Sequence, residues 1–151
     1  MLSVWWGVRG IVHWELIPPN TTVTAEVYCD QLKRLKAKLE ADHPKRERVI
    51  FLHDNARPHV ALSVRKKLME FGWELLPHPA YSPDLAPSDY HLFRALSNHL
   101  REIIFDQSAN IETYLYNFFR SQPIEFYREG IHSLLERWRR VIYSDGAFVI
   151  D

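Results

Sequence analysis

Apolar positions along the chain change their period repeatedly, and each change marks an element. The runs MLSVWW and GIVHWELI are short, aromatic and β-branched, and a turn from Gly7 to Gly10 separates them. That composition predicts two strands paired as a hairpin. After Pro18, Pro19 and Asn20 the spacing becomes helical. From a start near Thr24, Tyr28, Leu32, Leu35 and Leu39 fall at i, i+4, i+7 and i+11, while Lys33, Arg34, Lys36 and Lys38 take the other positions. Asp42, His43 and Pro44 close this helix, and the apolar run from Arg48 to Leu52 reads as a strand buried on both faces at the centre of a sheet.

In HDNARPH, Asp54 and Asn55 are placed to cap a following helix and Pro58 suits its first turn; Val60, Val64, Leu68 and Phe71 then carry an apolar stripe to Gly72. Trp73 to Leu76 reads as another short strand. The proline density of PHPAYSPDLAPSDY delays the next helix until about Ser88, which puts Asp89 on its first turn. Leu92, Leu96, Leu100 and Ile103 mark that helix, Ile111, Leu115 and Phe118 another, and Ile131, Leu134, Trp138 and Val141 a last one. The order β-β-α-β-α-β-loop-α-α-α predicts an α/β layered domain with a mixed sheet, antiparallel at the hairpin and parallel where helices cross over. With neither a repeat nor a linker, residues 1–151 read as one domain.

Composition narrows the function classes. A chain of 151 residues that is 46% apolar can bury one core. Its 19 Lys and Arg balance 19 Asp and Glu, so no global positive field advertises a nucleic-acid partner. The single cysteine, Cys29, excludes a disulfide scaffold and favours a reducing compartment. Apolar stretches fall well short of the ~18 to 20 residues of a membrane span, and the start lacks the pattern of a signal peptide; the expectation is a soluble intracellular protein without a membrane partner. The basic clusters Lys33-Arg34-Lys36-Lys38, Lys45-Arg46-Arg48, Arg65-Lys66-Lys67 and Arg137-Arg139-Arg140 read first as solvated faces. Arg57, close to Asp54, is the better candidate for a phosphate contact.

Asp54 sits where a buried strand ends, and Asp89 opens a helix behind a rigid loop. From such positions α/β folds present polar groups at the carboxyl edge of a sheet. Carboxylates brought together repel one another unless a cation sits between them, and hard divalent ions such as Mg²⁺ take oxygen ligands in this way. Metal-assisted phosphoryl transfer fits that pair, although helix capping accounts for either aspartate taken alone. His53, His59, His78, His91 and His99 raise zinc, but no HExxH or Cys/His ligand spacing occurs among them, which favours supporting, phosphate-facing or structural roles. There is no GxSxG elbow and Cys29 lies within a helix, so nucleophilic catalysis has no support.

HDNARPH followed by LPHPAYSPDLAPSDYHLF resembles the mariner transposases of the Tc1/mariner group, whose catalytic domain has an RNase H-like fold. In that family the aspartate of HDN and the aspartate before YHLF are the second and third metal-binding carboxylates, with thirty-four residues between them; Asp54 and Asp89 have that separation here. The likeness runs on through VWW, ELIPPNTTVTAEVY and FYREGIHSLLERWRRVIYSDGAFVID, essentially the whole chain. It extends to the transposase half of a histone-lysine methyltransferase fused to a mariner transposase, but no segment here resembles a methyl-donor pocket. The resemblance implies Asp54 and Asp89 as catalytic ligands of Mg²⁺ or Mn²⁺, with Asn55, Arg57 and His59 as supporting or DNA-contacting groups. It also implies transposon-end DNA as partner, assembly as a homodimer, and a nuclear location. Family members begin with helix-turn-helix units and a strand carrying the first carboxylate in a GDEKW-like motif, neither of which occurs in this sequence. The expectation is therefore an N-terminally truncated RNase H-like domain that holds metal weakly and does not cleave DNA competently. The alternative is a DNA-binding or protein-interaction remnant of a transposable element without catalysis.

Overall fold

The computed structural model describes residues 1–45, 48–101, 103 and 108–144. Strands β1 (Leu2–Gly7) and β2 (Gly10–Leu16) form the expected hairpin. Gly10 leaves the turn at φ 112°, a conformation that favours glycine. Helix α1 (Ala25–Asp42) starts where its stripe predicts, with Thr24 as N-cap: the Thr24 hydroxyl accepts from the Val27 N–H at 3.2 Å.

By its contacts the chain divides into two compact units, one of Met1–Trp5 with Val12–Tyr81, the other of Trp6–Ile11 with the described residues from Ser82 onward. In the first, Tyr28, Leu32, Leu35 and Leu39 of α1 bury themselves against Phe51, Val64 and Leu68, with Trp5, Val12 and Trp73 packed around them. Strand β3 (Ile50–Phe51) pairs in parallel with β4 (Glu74–Leu75), Ile50 opposite Glu74 and Phe51 opposite Leu75. Both kinds of pairing expected of a mixed sheet are present, but among the described residues they form separate two-stranded sheets. The run from Arg48 to Leu52 is thus not a strand buried on both faces: Phe51 is 7% exposed and Ile50 58%. No third strand pairs with β3 among the described residues, and beyond Leu76, whose N–H still donates to the Phe51 carbonyl, come Pro77 and Pro79, unable to donate to a ladder.

The helix expected across Val60 to Phe71 is two helices, α2 (Arg57–Val60) and α3 (Leu62–Phe71), because Ala61 is extended at φ −59°, ψ 148°. Pro58 occupies the first turn of α2 as expected, but neither Asp54 nor Asn55 caps it; the N-cap is Ala56, with no side-chain bond. Gly72 ends α3 in the left-handed conformation, φ 70°.

In the second unit a 3₁₀ turn (Pro83–Leu85) and a π-helical turn (Ser88–Phe93) precede α4 (Arg94–Leu100), α5 (Ser108–Ser121) and α6 (Ile124–Tyr143). Leu85, Leu92, Leu96, Leu115, Phe118, Phe119 and Tyr127 are its buried apolar side chains. Ile103 lies beyond α4 and is exposed, so the stripe stops at Leu100. The Tyr127 hydroxyl donates to the Phe119 carbonyl at 2.6 Å, and burial pushes its pKa up to about 12.

Where they are described, the basic clusters lie mostly on solvated faces; Arg137 is an exception, half-buried against the Tyr90 ring. On α1, Lys33, Lys36 and Lys38 pair with Asp30, Glu40 and Asp42, and Arg34 forks onto Glu15. Arg48 pairs with Glu74, Lys67 with Glu70 and Arg140 with Glu136. Such exposed pairs contribute about 0 to 1 kcal/mol each. Arg46 and residues 145–151 lie outside the described residues. Among the described residues no helix is long and apolar enough to cross a membrane.

Candidate metal centre

Asp54 follows the carboxyl end of β3, and its surroundings come from three elements of the first unit. Its Oδ1 accepts from the Ala56 N–H at 3.0 Å and lies 2.5 Å from His59 Nδ1 on α2. The His59 ring stacks on His53, with centroids 5.1 Å apart and planes at 4°, and lies 4.1 Å from the ring of Tyr28 on α1. The Tyr28 hydroxyl is 2.9 Å from His53 Nδ1. Burial pushes the Tyr28 pKa up, against a hydrogen bond from the Trp5 indole, so the group is a neutral O–H that can donate to that nitrogen.

Charge on Asp54 follows from this geometry. Partial burial pulls its pKa upward, but the Ala56 N–H and the neighbouring His59 and His53 outweigh it, and the carboxyl titrates below its ordinary range. Asp54 is therefore a carboxylate throughout the neutral range. For His53, burial and then the charge of His59 push the pKa down to about 4, partly opposed by Asp54. The unfolded residue titrates near ~6.5. Between those values the unfolded chain binds a proton that the folded chain does not, so stability falls as pH falls through that window. Urea midpoints taken from neutral pH toward pH ~4 are expected to drop, and His53→Gln, which cannot titrate, is expected to flatten the slope.

Asp89 is the second residue of the π-helical turn and is exposed. Its N–H donates to the Ala86 carbonyl at 2.8 Å, and both neighbours are anchored. The Ser88 hydroxyl accepts from the Trp6 indole at 2.9 Å, and the Tyr90 hydroxyl donates to the Gly130 carbonyl at 2.6 Å. Leu92, with no exposed surface, pins the far end of the turn. π-helical turns are rare and are frequently found at functional sites.

The remaining candidates separate by role. Asn55 donates to the His78 carbonyl at 2.8 Å, tying the HDN corner to the proline-rich loop. Arg57 is exposed at the first position of α2. His91 contacts the Phe126 carbonyl at 2.6 Å and His99 the Ala95 carbonyl at 2.9 Å, both backbone contacts within the second unit. Sequence reasoning placed Tyr28 in the core and missed its part beneath Asp54. The available signal was a hydroxyl heading a stripe that is otherwise leucine, since a buried Tyr O–H needs a partner. Among the described residues no group of three or more His, Cys, Asp or Glu side chains forms a ready-made metal cage.

Comparison with known proteins adds a family and a template. Residues 1–49 match the description "Transposase (partial DDE domain)". The mariner Mos1 transposase of Drosophila mauritiana is 44% identical over 153 residues, covering 99% of this chain and 44% of that protein. The histone-lysine N-methyltransferase SETMAR of Homo sapiens is 38% identical over 151 residues, covering 98% of this chain and 22% of that protein. This chain thus spans less than half the length of either curated relative. The Mos1 catalytic domain, solved with raltegravir and Mn, superposes with a TM-score of 0.96 at 45% identity, covering 99% of this chain and 76% of that one. The Mos1 paired-end complex with the left transposon end superposes with a TM-score of 0.94 at 46% identity, over 97% and 44% of the two chains.

Proposed function

Because this chain belongs to the mariner family of transposases and has the RNase H-like fold of their catalytic domain, we propose that Asp54 and Asp89 are its ligands for Mg²⁺ or Mn²⁺ in metal-dependent cleavage and transfer of DNA strands. The observation that carries this reading is the state of Asp54: a half-exposed carboxylate at a strand end, held ionised by the Ala56 N–H and His59. The donor set fits the ion. Mg²⁺ keeps several waters and is bound through one or two carboxylates plus substrate phosphates, which a pair of aspartates provides and a closed cage does not. Bound divalent ions activate the attacking oxygen and stabilise the leaving one in phosphodiester cleavage.

The chain's own groups do the preparing. The Ala56 N–H and His59 fix Oδ1, so the carboxylate does not have to reorient when it takes up a ligand. The π-turn holds Asp89 between two anchored neighbours. Arg57 is the phosphate contact of the first unit. The partner is transposon-end DNA, as in the Mos1 paired-end complex, and the working assembly is a homodimer in the nucleus.

Thermal denaturation of the full chain in rising Mn²⁺ tests the metal reading. A ligand at ~100 times its Kd stabilises the folded state by about 2.7 kcal/mol; a rise of that order is expected, and it should vanish in Asp54→Asn and in Asp89→Asn. An unchanged metal response in either variant contradicts the assignment. Nicking of supercoiled plasmid in Mn²⁺ separates the alternative, DNA binding without cleavage, from a working catalytic site.

A further inference from the structure

A cavity of about 350 Å³ opens within the second unit. Two helical stripes line it: His91, Arg94 and Asn98 from the π-turn and α4, at i, i+3 and i+7, and Phe126, Ser133 and Arg137 from α6, at i, i+7 and i+11. Two guanidiniums, those of Arg94 and Arg137, line this space. Planar guanidinium forks match phosphate oxygens, often two at a time.

Arg137 is oriented in advance. Its guanidinium carbon lies 3.9 Å from the centre of the Tyr90 ring, and its Nη1 donates to the Asp84 carbonyl at 3.2 Å. Tyr90 is itself fixed by its bond to the Gly130 carbonyl, and Ser133 Oγ sits 3.2 Å from the Tyr90 hydroxyl. Holding a fork in place before binding lowers the ordering cost of the ligand contact. On the other side, the His91 and Phe126 rings lie 4.3 Å apart and form an aromatic wall of the kind on which nucleobases stack.

We propose that this cavity holds a phosphodiester of a DNA strand, with Arg94 and Arg137 on its anionic oxygens and the adjoining base against Phe126 and His91. Tyr90, which lines the cavity, directly follows Asp89 in the chain. The inference rests on DNA being the substrate and does not need a metal.

Binding of a short fluorescein-labelled thymidine strand to the full chain, in EDTA, tests it separately from the Mn²⁺ experiment. Arg94→Gln with Arg137→Gln is expected to weaken binding at least ~10-fold and to lower the salt dependence by about 0.7 in log–log slope, the value for one single-strand phosphate. A 5-iodouridine strand irradiated with the unaltered chain is expected to cross-link at His91 or Phe126, a readout independent of whether the double variant folds. Three results would overturn the proposal: unchanged affinity in a folded double variant, no binding or cross-links only outside these two stripes, or displacement of the strand by inorganic phosphate at the strand's own concentration.

Discussion

Replacing Gly130 with alanine is expected to destabilise the chain by about 1 kcal/mol, although alanine is the better helix former. The Cβ added there would collide with His91 Cδ2 and come within 2.8 Å of His91 Cγ and 2.9 Å of Trp6 Cη2. Neither ring moves cheaply, because His91 is bonded to the Phe126 carbonyl and the Trp6 indole to the Ser88 hydroxyl. Overpacking of this kind costs about 1 to 3 kcal/mol, occasionally more, against roughly 1 kcal/mol gained from helix propensity. In a chain of this length that net loss lowers Tm by about 2 to 4 °C. Gly7, with nothing within 4 Å of an added Cβ, is the control, and its alanine variant should change little. A Gly130→Ala protein as stable as the parent would mean that the His91 and Trp6 rings are not fixed as described, and the support beneath Asp89 would fall with them.

The second large effect is expected from His59→Ala. His59 does not belong to the proposed ligand pair, yet its Nδ1 lies 2.5 Å from Asp54 Oδ1 and its ring is wedged between His53 and Tyr28. Removing it frees the carboxylate to rotate and takes away one of the influences that keep its pKa low. Loss of a partner that orients a ligating group typically costs ~10 to 100-fold in metal affinity, or about 1.4 to 2.7 kcal/mol. His59→Asn, whose side-chain amide can donate in a similar place, should recover part of it. If His59→Ala binds Mn²⁺ as the parent does, His59 is only a packing residue.

How much of this was legible in the chain varies with the physics involved. The α1 stripe and its Thr24 start, the Gly72 stop and the late helix start at Ser88 follow from local geometry: periodicity, a capping hydroxyl, a left-handed glycine and prolines that forbid a helix. Local pattern failed where partners decide. The apolar content of Val49 to Leu52 reads as a central strand, but among the described residues β3 pairs only with β4, and Ile50 is exposed. Val60 and Val64 keep a helical spacing across Ala61 even though the chain is extended there. The π-turn at Asp89 gives no periodic signal in six residues. The proposed ligands Asp54 and Asp89 were singled out in the sequence by their places at element ends. The contacts of Asp54 with His59, and of His59 with Tyr28, join residues up to 31 positions apart and arise only on folding.

One divalent ion shared by Asp54 and Asp89 is the claim on which the functional reading turns. Titration of the isotope-labelled full chain with Mn²⁺, whose unpaired electrons broaden nearby amide signals, tests it most directly. The Asp54 and Asp89 signals are expected to broaden together, with one affinity and within the first equivalent of metal. Broadening at one aspartate without the other, or at both with separate affinities, would contradict a shared ion.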